Sequence, residues 1–239
     1  MATNLKKNSN VETSADSVGG SRILPSAIYL MAIQVAYLGE SKGGAASLNL
    51  HLKDTKGREM QSTIYISTSK AKGQSIYYKG KDGKEHFLPG FELATSLTEL
   101  VLGQEIGDIP TEEKYVAIYD YNAGKDKDTK VDMLTPLIGK TIAVAVLECR
   151  DNKSAIGNSG KYEDDPSGKD RRYNEISKFF NNDGLTIQEV NANATAPGFI
   201  ITWKEAFEGK KRDRYKPVAN AGAVSGAPTN TPATGNPFG

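Results

Sequence analysis

Residues 28–67, IYLMAIQVAYLGESKGGAASLNLHLKDTKGREMQSTIYIS, carry the pattern that decides the fold. Side chains alternate at period two, the repeat of a strand whose neighbours point to opposite faces. In the first run Ile28, Leu30 and Ala32 oppose Tyr29, Met31, Ile33 and Val35, and the strand is expected to end near Gly39. Gly43-Gly44 marks a turn. Residues 47–53 then set Leu48, Leu50 and Leu52 against Ser47, Asn49, His51 and Lys53, and DTKG at 54–57 is a hairpin turn signal. Residues 60–67 alternate again, with Ile64 and Ile66 inward and Gln61, Thr63 and Tyr65 outward. Three strands joined by short turns make an antiparallel meander with one apolar face.

Working outward, residues 75–79 form a short ribbon that turns at KDGK (81–84) and returns over 85–88. After Pro89-Gly90 the period becomes helical: Phe91, Ala94, Leu97, Leu100 and Val101 recur on one stripe, and Gly103 stands where a C-terminal cap belongs. Two further strands are expected at 115–121 and 141–149. The second, TIAVAVLEC, is apolar enough to be central, with Ile142, Val144 and Val146 toward the core. AGKDKDTK (123–130) reads as a charged hairpin tip. Residues 151–173 read as a long polar loop, 177–180 as a short strand or helix with 185–190 as its partner, and 198–208 as the last ordered piece, holding the only tryptophan, Trp203. Residues 1–21 read as a flexible arm and 217–239, which lack any charged side chain, as a disordered tail, leaving one domain at 22–216 with a C-terminal extension. With the ribbon set aside, the order is three strands, a helix and two strands. The expected class is mainly β (α+β), and that order is the order of a five-stranded Greek-key barrel of the oligonucleotide/oligosaccharide-binding type, whose helix lies between strands 3 and 4.

The chain has 239 residues with 30 Lys+Arg against 29 Asp+Glu, so total charge selects no partner. Cys149 is the sole cysteine and His51 and His86 the only histidines, which leaves neither a disulfide framework nor a cysteine- or histidine-rich zinc site. No apolar run approaches the ~20 residues of a membrane-spanning helix, and residues 1–10 lack the apolar core of a signal peptide.

Local charge is uneven. Residues 42–84 hold nine Lys/Arg and three Asp/Glu, a net of +6, whereas 85–113 hold seven acids and no Lys or Arg, a net of −7. A basic stripe on strands and hairpin tips is the footprint that a phosphate backbone needs. Tyrosines interleave with it: Tyr65 on an outward face, Tyr77 and Tyr78 in the ribbon, and Tyr115, Tyr119 and Tyr121 on the face opposite Val116 and Ile118. Aromatic platforms among lysines suit single strands, because every base offers a π-face. A solvated hairpin and half-buried tyrosines would leave the same marks. A second basic group, Arg150, Lys153, Lys161, Lys169, Arg171 and Arg172 with Tyr162 and Tyr173, is diluted by Glu163, Asp164, Asp165 and Asp170 and reads as a solvated loop.

Catalytic signatures are missing: there is no phosphate-binding glycine loop, no GxSxG and no HExxH. Asp120, Asp126, Asp128 and Asp132 lack the glycine and terminal glutamate of a calcium loop. Cys149 closes an apolar strand and reads as a core residue. No enzyme activity and no cofactor are expected.

Three stretches carry a resemblance: YYKGKDGKEHFLPGFELATSLTELVLG (77–103), TEEKYVAIYDYNAGKDKDTKVDMLTPLIGKTIAVAVLE (111–148) and WKEAFEGKKRD (203–213). Together they resemble the single-stranded-DNA-binding proteins of tailed bacteriophages, over residues 28–215. The resemblance implies an oligonucleotide-binding barrel serving replication and recombination in the cytoplasm of an infected bacterium, with phage replication or recombination proteins as partners. Family members commonly end in an acidic tail that recruits such partners; here the end is NPFG, and Phe238 is its only candidate anchor. The residues expected to hold DNA are Lys53, Arg58, Lys70, Lys72, Lys79 and Lys81 for phosphates and Tyr65, Tyr77, Tyr78 and Tyr119 for bases. A virion or assembly protein with a self-associating β-domain is the alternative, and an annealing recombination mediator a third.

Overall fold

A computed structural model describes residues 23–120, 123–156 and 162–218. The fold is mainly β, of the α+β class. β1 (Ala27–Glu40) organises it. One edge pairs with β2 (Ala46–Asp54), and β2 pairs in turn with β3 (Glu59–Tyr65), all antiparallel. Its other edge is shared. Ala27–Ala32 pair with β8 (Thr141–Asn152), and Tyr37 and Leu38 pair with β7 (Lys125–Met133). β11 (Asp170–Phe180) lies beyond β8, so the main path is β11-β8-β1-β2-β3. No ladder joins β3 to β11 among the described residues.

The leucine alternation in β2 has the expected consequence. Leu48, Leu50 and Leu52 are buried against Met31, Ile33, Met60 and Ile64, and Ile142, Val144 and Val146 enter the same core from β8. Full burial of one such side chain is worth ~1.5–3 kcal/mol, and a one-residue slip would expose the whole row, so register is tightly held. α1 (Pro89–Leu102) covers this core with Ala94 and Leu97; proline opens it, and Gly103, at φ 70°, closes it by donating its N–H to the Glu99 carbonyl. A Cβ on Gly90 would lie 2.0 Å from the Tyr65 carbonyl oxygen, so glycine is what lets the first turn of α1 seat on the end of β3.

Between β3 and α1 stand a 3-10 turn (Lys70–Lys72) and the expected ribbon, β4 (Tyr77–Lys79) paired with β5 (Glu85–Phe87).

Four sequence expectations are corrected. The strand expected at 115–121 appears as β6 (Glu112–Asp120), but it pairs only with β7, as a hairpin hung from β1. AGKDKDTK does lie at a hairpin, but only Ala123 and Gly124 belong to its turn, and Lys125 to Lys130 are already strand β7. The polar stretch 151–173 is largely strand: β8 runs to Asn152, β9 (Ser154–Ile156) pairs with β10 (Tyr162–Asp164), and β11 begins at Asp170. Ion pairs replace apolar contacts there, with Arg150 and Arg172 both on Asp170 at 2.7 and 3.3 Å. Lastly, 185–190 does not pair with 177–180. It enters α2 (Ile187–Asn191), because Thr186 and Glu189 form a reciprocal capping box.

β8 is buried on both faces. Its second face, Ala145, Leu147 and Cys149, makes a smaller core with Phe180 and with Trp203 of α3 (Phe199–Phe207). Burial pushes the Cys149 thiol up to about 11, as befits a core residue. The last strand, β12 (Lys211–Asp213), lies parallel to β8 and is tied down by Lys211–Glu148, Arg212–Glu175 and Arg150–Asp213 pairs.

Glu189 joins the two C-terminal helices. Its Oε2 accepts the Thr186 N–H, and its Oε1 accepts the N–H groups of Gly198 and Phe199 at 2.8 Å, capping the start of α3. The backbone hydrogen bond from Thr186, with those from Phe199 and Gly198, outweighs burial and lowers the carboxyl from 4.5 to about 2. A depressed folded pKa stabilises the fold above the unfolded value and loses that contribution as protons bind. Melting temperature is therefore expected to fall as pH drops from about 4.5 to about 2. Glu189→Gln should melt lower at pH 7 and show a shallower decline across that window, read by circular dichroism; equal declines in the two proteins would overturn the assignment.

Candidate nucleic-acid interface

The face of β1-β2-β3 away from the core forms the floor of a cleft of about 840 Å³, and the β6–β7 hairpin forms its wall. Tyr37, Asn49, Thr63 and Tyr65 come from the sheet, and Ile118, Thr129, Lys130 and Val131 from the hairpin. A bulge puts Tyr37 there. Register shifts between Ile33 and Val35, so Ala36, not Val35, continues the buried row, and Tyr37 turns to the outer face opposite Asn49. The expected placement of Val35 beside Ile33 is corrected by the same bulge.

The floor is polar and already ordered. Thr63 Oγ1 donates to Asn49 Oδ1 at 2.8 Å, and Asn49 Nδ2 donates to Ser47 Oγ at 3.1 Å. A Cβ on Gly39 would stand 2.6 Å from that amide nitrogen, so glycine leaves room for it. Tyr65, 55% exposed, stands at the end of the row, whereas Tyr37 is buried and its hydroxyl pKa is raised by that burial. The rim carries Glu40, Glu113 and Asp132. Two of these acids hold lysines, Lys70–Glu40 at 2.8 Å and Lys130–Glu113 at 2.6 Å.

The other expected residues distribute as follows. Lys53 and Arg58 sit at the opposite end of the β2–β3 ladder from Tyr65, six residue steps away, about 20 Å at strand rise. They line a separate hollow of about 1060 Å³ with His51 and Gln61. Lys53 pairs with Glu59 at 2.7 Å. Arg58 is engaged structurally: its guanidinium contacts Asp54 at 2.5 Å and lies over the Tyr29 ring at 4.7 Å. Burial opposes ionisation of Asp54, but hydrogen bonds from the backbone and guanidinium of Arg58 and the backbone of Lys56 hold its carboxyl below the usual range. Burial lowers the His51 pKa, partly offset by Glu59, so its imidazole is neutral at pH 7.

In the ribbon, Tyr77 stacks on Phe87 at 4.8 Å and Phe87 on Phe91 of α1 at 5.2 Å, a ring column that stands the ribbon on the helix. Tyr78 leans on His86 at 5.6 Å from the other face. Lys72, Lys79 and Lys81 are exposed and join no ion pair among the described residues. Tyr119 and Tyr115 lie on the hairpin face opposite Ile118, which lines the cleft. Tyr65, Lys70, Lys72, Tyr77, Tyr78, Lys79 and Lys81 thus belong to the end of the sheet where β3 leads into the ribbon. Lys53 and Arg58 lie at the far end, Tyr119 on the hairpin's back. Phe238 lies outside the described residues, as do Tyr121 and Lys161.

Tyr37, Asn49 and Thr63 were not among the expected site residues. Alternation puts Asn49 and Thr63 on the outward face, and the charged stretch 123–130 signals a hairpin, but nothing in the sequence indicates that this hairpin pairs with β1 and converts the face into a cleft. Among the described residues no cluster of three or more His, Cys, Asp or Glu could hold a metal ion, and no helix is long and apolar enough to cross a membrane. No protein-family model matches the chain, and no curated protein is significantly similar to it.

Proposed function

We propose that this protein binds single-stranded DNA without sequence preference and without catalysis, protecting the strand during phage replication and recombination. The strand lies across the outer face of β2 and β3 and continues onto the ribbon. The observation that carries this reading is Tyr65: an exposed ring at the end of an ordered polar row, followed along the chain by Lys70, Lys72, Tyr77, Tyr78, Lys79 and Lys81. Bases stack on the tyrosines while lysines neutralise phosphates. The strand order supports a Greek-key barrel of the oligonucleotide-binding type, built from β1, β2, β3, β8 and β11 with α1 after β3 and the β6–β7 hairpin inserted before β8.

Lys53 and Lys70 already hold carboxylates, so a phosphate reaching them displaces Glu59 or Glu40 rather than a salt ion. The salt slope should therefore be shallower than the ~0.7 per phosphate of a single strand, counted over all contacts. Fluorescence-anisotropy titration of labelled oligo-dT and of a matched duplex, at low and moderate salt, tests the proposal. Tight, salt-weakened binding to dT with little to duplex is expected. No binding to dT at low salt would overturn the reading and favour the self-associating assembly protein.

A further inference from the structure

We propose that the chain forms a two-fold dimer by pairing the open edge of β6 with β6 of a second copy, in one register centred on Ala117. β6 pairs with β7 alone, and no strand of the described chain pairs along its other edge. The direction of its main-chain groups can be read from two bonds. Gly124 donates to the Asp120 carbonyl at 2.8 Å, inside the hairpin, and Leu134 donates away from it, to the Ala36 carbonyl at 2.9 Å. By alternation, Lys114, Val116 and Ile118 bond toward β7, while the main-chain groups of Tyr115 and Ala117 point to the open edge. A nine-residue open edge is a template for another strand unless charge or shape protects it.

Here the side chains are self-complementary instead. Antiparallel pairing of β6 with its copy about Ala117 places Lys114, which also holds Glu112 of its own strand at 2.9 Å, opposite Asp120, with Tyr115 opposite Tyr119 and Val116 opposite Ile118, each twice by symmetry. Shifting the centre to Val116 sets Glu112 against Asp120, two like charges, and centres at Tyr115 or Ile118 oppose a charged residue to Val116. Centres between residues would oppose edge-facing to inward-facing main chain and make no ladder. Only the Ala117 register matches charge, ring and aliphatic partners together. The dimer does not depend on DNA.

Size-exclusion chromatography with light scattering, on the full chain without DNA, tests this. Twice the 25.8 kDa chain mass is expected. Ala117→Pro removes the N–H at the two-fold axis but none of the β6–β7 bonds, so it should run as a monomer with an unchanged circular-dichroism spectrum. Lys114→Asp and Asp120→Lys should each shift the protein to monomer, and the double exchange should restore the dimer, because it re-pairs opposite charges in that register alone. A monomeric wild type, or a dimer indifferent to Ala117→Pro, would overturn the proposal, as would failure of the double exchange to restore a dimer that both single changes had lost.

Discussion

Trp203→Ala is expected to cost about 3–5 kcal/mol of stability, the range for emptying a large aromatic site in a packed core. Trp203 is 2% exposed and is the largest member of the second core, wedged between α3 and β8 with Ala145, Leu147, Cys149 and Phe180. Its indole N–H donates to Ser177 Oγ at 3.1 Å. Ser177 is the bulged residue of β11, where register shifts between Ile176 and Lys178, so truncation removes both the ring and the partner that fixes the bulge. Trp203→Phe keeps most of the volume and should lose much less. Urea unfolding followed by far-ultraviolet circular dichroism gives both values. A loss below about 1 kcal/mol for Trp203→Ala, the level of an average point substitution, would mean that α3 is not docked on β8.

Tyr65→Ala is expected to weaken oligo-dT binding by about 5- to 150-fold, since one base–aromatic stack is worth ~1–3 kcal/mol and each ~1.4 kcal/mol is tenfold. Tyr65 suits this test because its ring is exposed while its carbonyl is the part that meets Gly90. Removing the side chain therefore leaves the seat of α1 on β3 in place. Tyr65→Phe should bind like wild type, because stacking needs the ring and not the hydroxyl. Lys72→Ala should weaken binding modestly and lower the salt slope, as loss of one phosphate contact does. Wild-type affinity in Tyr65→Ala would remove the cleft end of β3 from the DNA path.

The meander and the helix were legible because their signals are local. Leu48, Leu50 and Leu52 alternate strictly, and Pro89 and Gly103 bracket a helical stripe; each reports its own conformation without reference to distant residues. β11 was not legible. The bulge at Ser177 breaks the alternation of Ile176, Phe179 and Phe180, and the strand's first half carries Arg171 and Arg172, held along the strand by the Tyr173 ring and by Asp170 and not by burial. β7 was hidden for a related reason: its charges are exposed on both faces, so no apolar period marks it.

The candidate site divides along the same line. The sequence alone determined which residue types meet solvent on β2, β3 and the ribbon, because a period of two assigns faces without knowing neighbours. Only the tertiary structure decided that Tyr37 joins that face, that the β6–β7 hairpin walls it, and that Lys53, Arg58 and Lys70 already hold carboxylates. Bulges, edge pairings and ion pairs depend on what another segment offers across a ladder, and a linear pattern carries no record of which segment that is.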